Sequence, residues 1–150
     1  MAKGQCNCGA VQFEITVDTD ETEEAGNAGG SGTLGTIYMC HCSICRRMTG
    51  AAGVPVLVLR NEDFRWLSGQ DQIATWRKPT GDWQCWFCRC CGSPLPGQND
   101  PARIYVPAGL LQDGADRLQV RHHIWTGSKA PWDVIGDGGQ QHPEAFGSGT

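Results

Sequence analysis

Apolar and polar residues alternate through AVQFEITV, residues 10–17. Val11, Phe13, Ile15 and Val17 fall on one side of the segment and Gln12, Glu14 and Thr16 on the other. That period of two belongs to a half-buried β-strand. Short stretches of the same kind recur downstream. Thr36–Met39 reads as a strand, and Gly53–Leu59 (GVPVLVL) as a buried strand containing the longest apolar run, Val54–Leu59. Asn61–Leu67 carries Phe64 and Trp66 and ends at a Ser68-Gly69 turn. Ile73–Arg77 and Trp83–Phe87 read as strands joined by a turn over Lys78–Asp82. Ile104–Pro107 and Leu118–Trp125 complete the set, with Ala108–Asp116 a loop that has room for one helical turn. A second helical turn is expected over 43–48, followed by small residues that let backbone pass close by. The tail from Thr126 to Phe146 shows little regular pattern; Trp132, Val134 and Ile135 are expected to pin it to the sheet.

Residues 18–35 (DTDETEEAGNAGGSGTLG) break the alternation, with five acids followed by a Gly/Ser-rich run. Such composition reads as a flexible, solvated loop, an insertion at a hairpin tip or a lid. A chain of 150 residues with 21 Gly and 8 Pro is expected to form a single, mainly β domain over 1–150, built of small antiparallel sheets. Six tryptophans are expected mostly in its core.

The charge, 12 Lys+Arg against 16 Asp+Glu for a net −4, leaves no basic stripe for a nucleic-acid backbone. No apolar run approaches the roughly 18 residues of a membrane span. The start, MAKGQCNCGAV, lacks the apolar segment of a secretory signal, so the expected location is cytoplasmic. Nine cysteines in a reducing compartment read as metal ligands or redox groups rather than as a disulfide framework.

Their spacing sorts them. CHCSIC places Cys40, Cys42 and Cys45 within six positions. Cys6-x-Cys8 and Cys88-x-x-Cys91 each present two sulfurs from a tight turn, and together complete a closed four-sulfur structural zinc site. Such a site ties together strands far apart in sequence, and its binding free energy becomes folding free energy. Cys40, Cys42 and Cys45 form a second set with three sulfurs. Three protein ligands with an open fourth position are the pattern of catalytic zinc; two purely structural zinc sites are the alternative. Four-thiolate iron–sulfur centres fit the C-x-C spacing poorly, and no βαβ pattern supports a redox C-x-x-C. Cys85 reads as a buried core thiol. Cys90 sits inside the second knuckle as a rival ligand, although Cys-x-x-Cys with the following Gly is the more usual zinc pair. Either one, folded over, would close the three-sulfur set.

Three motifs in order carry a family resemblance: G-x-C-x-C-G-A-V-x-F-E at 4–14, C-H-C-S-x-C-R-R-x-[ST]-G at 40–50 and F-C-x-x-C-G-S-x-L at 87–95. With the run HIWTGSKAPW at 123–132, the chain resembles the glutathione-dependent formaldehyde-activating enzyme family, which shares its domain with centromere protein V. The resemblance implies an Mss4-like fold of small antiparallel sheets stabilised by zinc, two ions per chain. It matches Cys6, Cys8, Cys88 and Cys91 to the structural zinc ligands and Cys40, Cys42 and Cys45 to the catalytic ones. The activity it implies is S-(hydroxymethyl)glutathione synthase-like. This is carbon–sulfur lyase chemistry on adducts of glutathione, or a similar thiol, with formaldehyde or another small carbonyl. A zinc-stabilised binding module without turnover is the alternative. The 18–35 loop looks longer than the family's, and Cys90 is outside its pattern.

Several neighbours of the three-sulfur set are candidates for a role. Arg46 and Arg47 follow it directly and suit a substrate carboxylate, or else balance thiolate charge. His41 lies between two ligands and should point away from them, as a packed, exposed or proton-transferring residue. His122 and His123 should face opposite ways on one strand. Lys129 and Trp132 either cap a pocket or, for Trp132, pack in the core.

Overall fold

The computed structural model describes residues 1–16 and 35–149. Val17 and all of the expected 18–35 loop except Gly35 lie outside the described residues. Eleven strands and one α-helix are present among them: β1 (Ala2–Gln5), β2 (Gln12–Ile15), β3 (Thr36–Cys40), α1 (Ser43–Thr49), β4 (Val54–Arg60), β5 (Phe64–Ser68), β6 (Ile73–Arg77), β7 (Gln84–Cys88), β8 (Gly97–Asp100), β9 (Arg103–Pro107), β10 (Gln119–Ile124) and β11 (Gln140–Gln141). They form a three-stranded sheet in the order β1-β2-β5, a six-stranded sheet β11-β10-β3-β4-β9-β8 and the β6-β7 hairpin. The chain is mainly β, as its alternation implies. One feature differs from expectation: β10 pairs in parallel with both β3 and β11, so the largest sheet is mixed rather than antiparallel. Strand β10 comes long after β3 in the chain and meets it through tertiary packing. Nothing in the local pattern of either strand encodes that direction.

The alternation through β2 and the residue before it places Val11, Phe13 and Ile15 wholly inside. Phe13 stacks on Phe64 and meets Trp66 edge-on, because β5 pairs antiparallel to β2 with Phe13 opposite Trp66. Leu57, Leu59 and Val106 from the large sheet close this core from the other side. A second, smaller core gathers Val11, Leu95, Cys6 and Cys88. Glu14, on the side expected to face solvent, is buried and ion-paired to Arg65 on the neighbouring strand. Its charge is compensated across the sheet rather than by water.

The tryptophans depart from the expectation of a core role. Trp76, Trp125 and Trp132 are exposed, and Trp66, Trp83 and Trp86 are half-buried. Nor do Trp132 and Val134 pin the tail, since they are 71% and 87% exposed. The tail is held instead by β11 alongside β10, by buried His142, and by Phe146 packed edge-on against Tyr38 and His122. A polar segment attaches through strand pairing and one aromatic cluster, which hydropathy does not reveal.

Candidate metal centres and active site

The turn after β1 and the turn after β7 meet. Gly9 N–H donates to Cys6 O and Gly92 N–H to Cys88 O, closing the two knuckles. Asn7 N–H reaches Ser93 Oγ at 2.9 Å and ties one to the other. Cys6, Cys8, Cys88 and Cys91 thereby form one group whose sulfurs all lie within 4.8 Å of one another. Cys6 and Cys8 sulfurs are 3.6 Å apart, and Cys8 and Cys88 sulfurs 3.8 Å. A tetrahedral ion with bonds of about 2.3 Å to sulfur needs edges of about 3.8 Å, so the donor set fits zinc. The thiols are electrostatically unequal. Hydrogen bonds from the Ser93 side chain and backbone pull Cys91 down to about 6. A backbone donor at Ala10 favours the Cys8 thiolate, but its thiol contacts outweigh that and push it up to about 12.

Cys40, Cys42 and Cys45 make the second group, their sulfurs again mutually within 4.8 Å. Cys40 ends β3. Cys42 is the N-cap of α1, its sulfur accepting the Cys45 N–H at 3.3 Å. Gly50 ends the helix in the left-handed conformation, φ 69°, as a C-terminal glycine does. A Cβ on Gly53 would sit 2.8 Å from Cys40 O, so the small residue here does let β4 press against the site. Hydrogen bonds from Cys40 and then Cys45 draw the negative charge onto Cys42, which falls to about 2. The hydrogen bond to Cys42 pushes Cys40 up to about 11, and those to Cys40 and Cys42 hold Cys45 protonated. A dication in this set would displace the two remaining protons.

Neither Cys85 nor Cys90 joins the three. Cys85, expected in the core, is half-buried. Cys90 is exposed and donates to Gln72 Oε1 at 3.1 Å. Among the described residues no fourth His, Cys, Asp or Glu shares the group.

Behind the cluster lies a polar chain that the sequence did not reveal. His41 is 1% exposed; its Nε2 is 2.8 Å from His123 Nδ1, and its Nδ1 3.4 Å from Asp133. His123 Nε2 in turn contacts Asp137 at 2.8 Å. His41 therefore points away from the sulfurs, as its place between two of them requires. Burial first, and then His123, depress its pKa. His41 N–H also donates to Ile124 O at 3.0 Å, so the CHC turn is fixed at both main chain and side chain. His122 faces the opposite way, against Tyr38, His142 and Phe146. Lys129 donates to Asp133 O at 2.5 Å and so braces the loop carrying Asp133 rather than facing the sulfurs.

The arginines separate. Arg47 is exposed, whereas Arg46 is half-buried and its Nε is sealed from solvent without a hydrogen-bond partner among the described residues. Trp83 Nε1–H donates to Met48 Sδ at 2.9 Å, which joins the helix to the β6-β7 hairpin. Among the described residues no helix is long and apolar enough to cross a membrane.

With this geometry in place, the comparison with known proteins is direct. Residues 1–128 match the sequence model of the family described as glutathione-dependent formaldehyde-activating enzyme. The chain belongs to this family. A solved structure described as a crystal structure of a Rhodobacter sphaeroides protein, a structural-genomics target, is similar in fold. It is 24% identical over 79% of this chain and 96% of that one, with a TM-score of 0.53. For a member of the glutathione-dependent formaldehyde-activating family, two cysteine groups of this kind are candidate metal centres, and the family's description points to glutathione-dependent activation of formaldehyde.

Proposed function

We propose that this protein is an enzyme that joins glutathione, or a similar thiol, to formaldehyde or another small carbonyl, and splits the adduct in the reverse, lyase direction. The observation that carries this reading is the group Cys40, Cys42 and Cys45, which offers three sulfurs and, among the described residues, no fourth donor. Cys6, Cys8, Cys88 and Cys91 would hold a structural zinc ion and Cys40, Cys42 and Cys45 a catalytic one, two per chain within a single domain. Zinc bound in the three-sulfur set would supply a positive charge that lets an incoming thiol ionise near neutral pH.

The chain's own residues do the rest. Cys42, as the helix N-cap, keeps the negative end of the set fixed through the Cys45 N–H. The His41–His123 pair and its two aspartates hold the CHC turn rigid and dry. Arg46 carries a buried N–H, unpartnered among the described residues, and suits a carboxylate of a glutathione-like thiol; exposed Arg47 adds long-range attraction. In the addition step the thiolate sulfur forms a bond to the carbonyl carbon. The carbonyl π pair moves onto oxygen, and water protonates it. Nine cysteines, seven of them gathered into two groups of metal-ligand type, favour a reducing, cytoplasmic setting.

Metal analysis with a glutathione titration of the cobalt-substituted protein tests the reading. Two metals per chain, one of whose visible spectrum responds to glutathione while Cys40→Ser abolishes the response, is the expected result. Two metals that both ignore glutathione would make the protein a zinc-stabilised binding module instead.

A further inference from the structure

Tyr105 lies on β9 and is 8% exposed, yet its hydroxyl has no hydrogen-bond partner among the described residues. A buried, unpaired hydroxyl costs free energy and is rare enough to need a cause. The ring itself is held firmly. Trp83 stacks on it at 6.0 Å and Trp86 meets it at 67° and 6.1 Å. Trp83 is in turn bonded to Met48 of α1, the helix that also carries Cys45. The phenol is therefore braced against the element bearing the third sulfur. After burial itself, Cys85, which lies outside the three-sulfur set, and then Cys45, which belongs to it, hold the phenol above its ordinary range. A phenol is protonated near neutral pH in any case, so it is available as a neutral donor.

Two more sealed polar atoms without a hydrogen-bond partner among the described residues are Arg46 Nε and His41 Nδ1, the latter facing Asp133 at 3.4 Å. A guanidinium suits a carboxylate, whereas a single phenolic O–H suits a single oxygen that gains charge during reaction. We infer that Tyr105 is a catalytic residue whose hydroxyl donates a hydrogen bond to the carbonyl oxygen of the small aldehyde as the thiol adds to it. This assignment rests on the addition chemistry proposed above. As the carbon–sulfur bond forms and the π pair moves onto oxygen, the Tyr105 O–H strengthens its hydrogen bond and keeps its proton; water supplies the proton of the product hydroxyl. In the reverse direction the same donor stabilises the alkoxide from which the thiolate departs.

Tyr105→Phe removes only the hydroxyl and keeps the ring that packs on Trp83 and Trp86. The expected result is a fall of about 100-fold in kcat/KM for formaldehyde, with the melting temperature and the response to glutathione alone unchanged. A second readout needs no turnover. Tryptophan fluorescence is titrated with S-(hydroxymethyl)glutathione, maintained by excess formaldehyde, and with S-ethylglutathione, which has methyl in place of the hydroxyl. The wild-type protein should prefer the hydroxymethyl ligand by about tenfold, the scale of one hydrogen bond, and Tyr105→Phe should erase that preference. A variant whose kcat/KM stays within about twofold of an active wild type, or a wild type with no preference between the two ligands, overturns the assignment of Tyr105 while leaving the enzyme reading intact. A wild-type protein that does not accelerate adduct formation above the spontaneous rate overturns both.

Discussion

Replacing Cys88 by serine should cost this protein far more stability than replacing Cys40, although both thiols are buried. The reason is the length of chain each group closes. Cys8 and Cys88 are 80 residues apart with their sulfurs 3.8 Å from one another. By the chain-entropy estimate for cross-links, closing a loop of that size restricts the unfolded state by about 4.5 kcal/mol, whereas the six positions of the CHCSIC group give only about 2 kcal/mol. For a chain of this size each kcal/mol moves the melting temperature by about 2–4 °C. Cys88→Ser is thus expected to lower it by roughly 10–18 °C and Cys40→Ser by roughly 4–9 °C. Chelation should reproduce the order, with the metal that is lost last being the one whose loss unfolds the chain. The assay is thermal unfolding by circular dichroism alongside metal content per chain. Equal losses for the two variants, or a Cys88→Ser protein that keeps both its full metal content and its melting temperature, would refute the division into a structural clamp and an open site.

Two further outcomes follow from the same geometry. His122 and His41 are depressed below the ordinary histidine value of 6.5, in each case by burial first. The unfolded chain therefore takes up protons as the pH falls through 6.5 while the folded chain does not, so stability is fully present above that pH and lost below it. Each suppressed proton steepens the loss by up to about 1.4 kcal/mol per pH unit. Denaturant melts between pH 7 and pH 5 should show a shallower slope in His122→Gln, and an unchanged slope would remove His122 from the account. Gly97→Ala places a Cβ 2.1 Å from the Trp86 ring and must displace one of the two indoles flanking Tyr105. A loss of about 1–3 kcal/mol is expected from the overpacking, together with a change in tryptophan emission; a variant matching wild type in both would show that the ring moves freely.

Much of the chemistry was legible locally. Two cysteines two or three positions apart can reach one ion only from a tight turn, so local spacing marks the pair Cys6 and Cys8, the pair Cys88 and Cys91, and the set Cys40, Cys42 and Cys45, while the meeting of the two pairs, 80 residues apart, is a tertiary matter. The structure brings the same residues together. The strand period also placed Val11, Phe13 and Ile15 inside, as found. His41 had to point away from the sulfurs because its two neighbours point toward them, and it does.

What tertiary structure alone decided is what depends on distant partners. The burial of Glu14 needs Arg65 from another strand. The exposure of Trp132 and Val134 follows from a tail anchored by β11 and His142 instead. The parallel pairing of β3 and β10 brings His123 beside His41, and Trp83 and Trp86 pack on the ring of Tyr105. Ligand spacing and strand alternation act over a few residues and are written in the order of the chain. Strand register and the partners of a buried polar group are set by elements tens of residues apart, whose meeting is a property of the packed domain and of no single stretch within it.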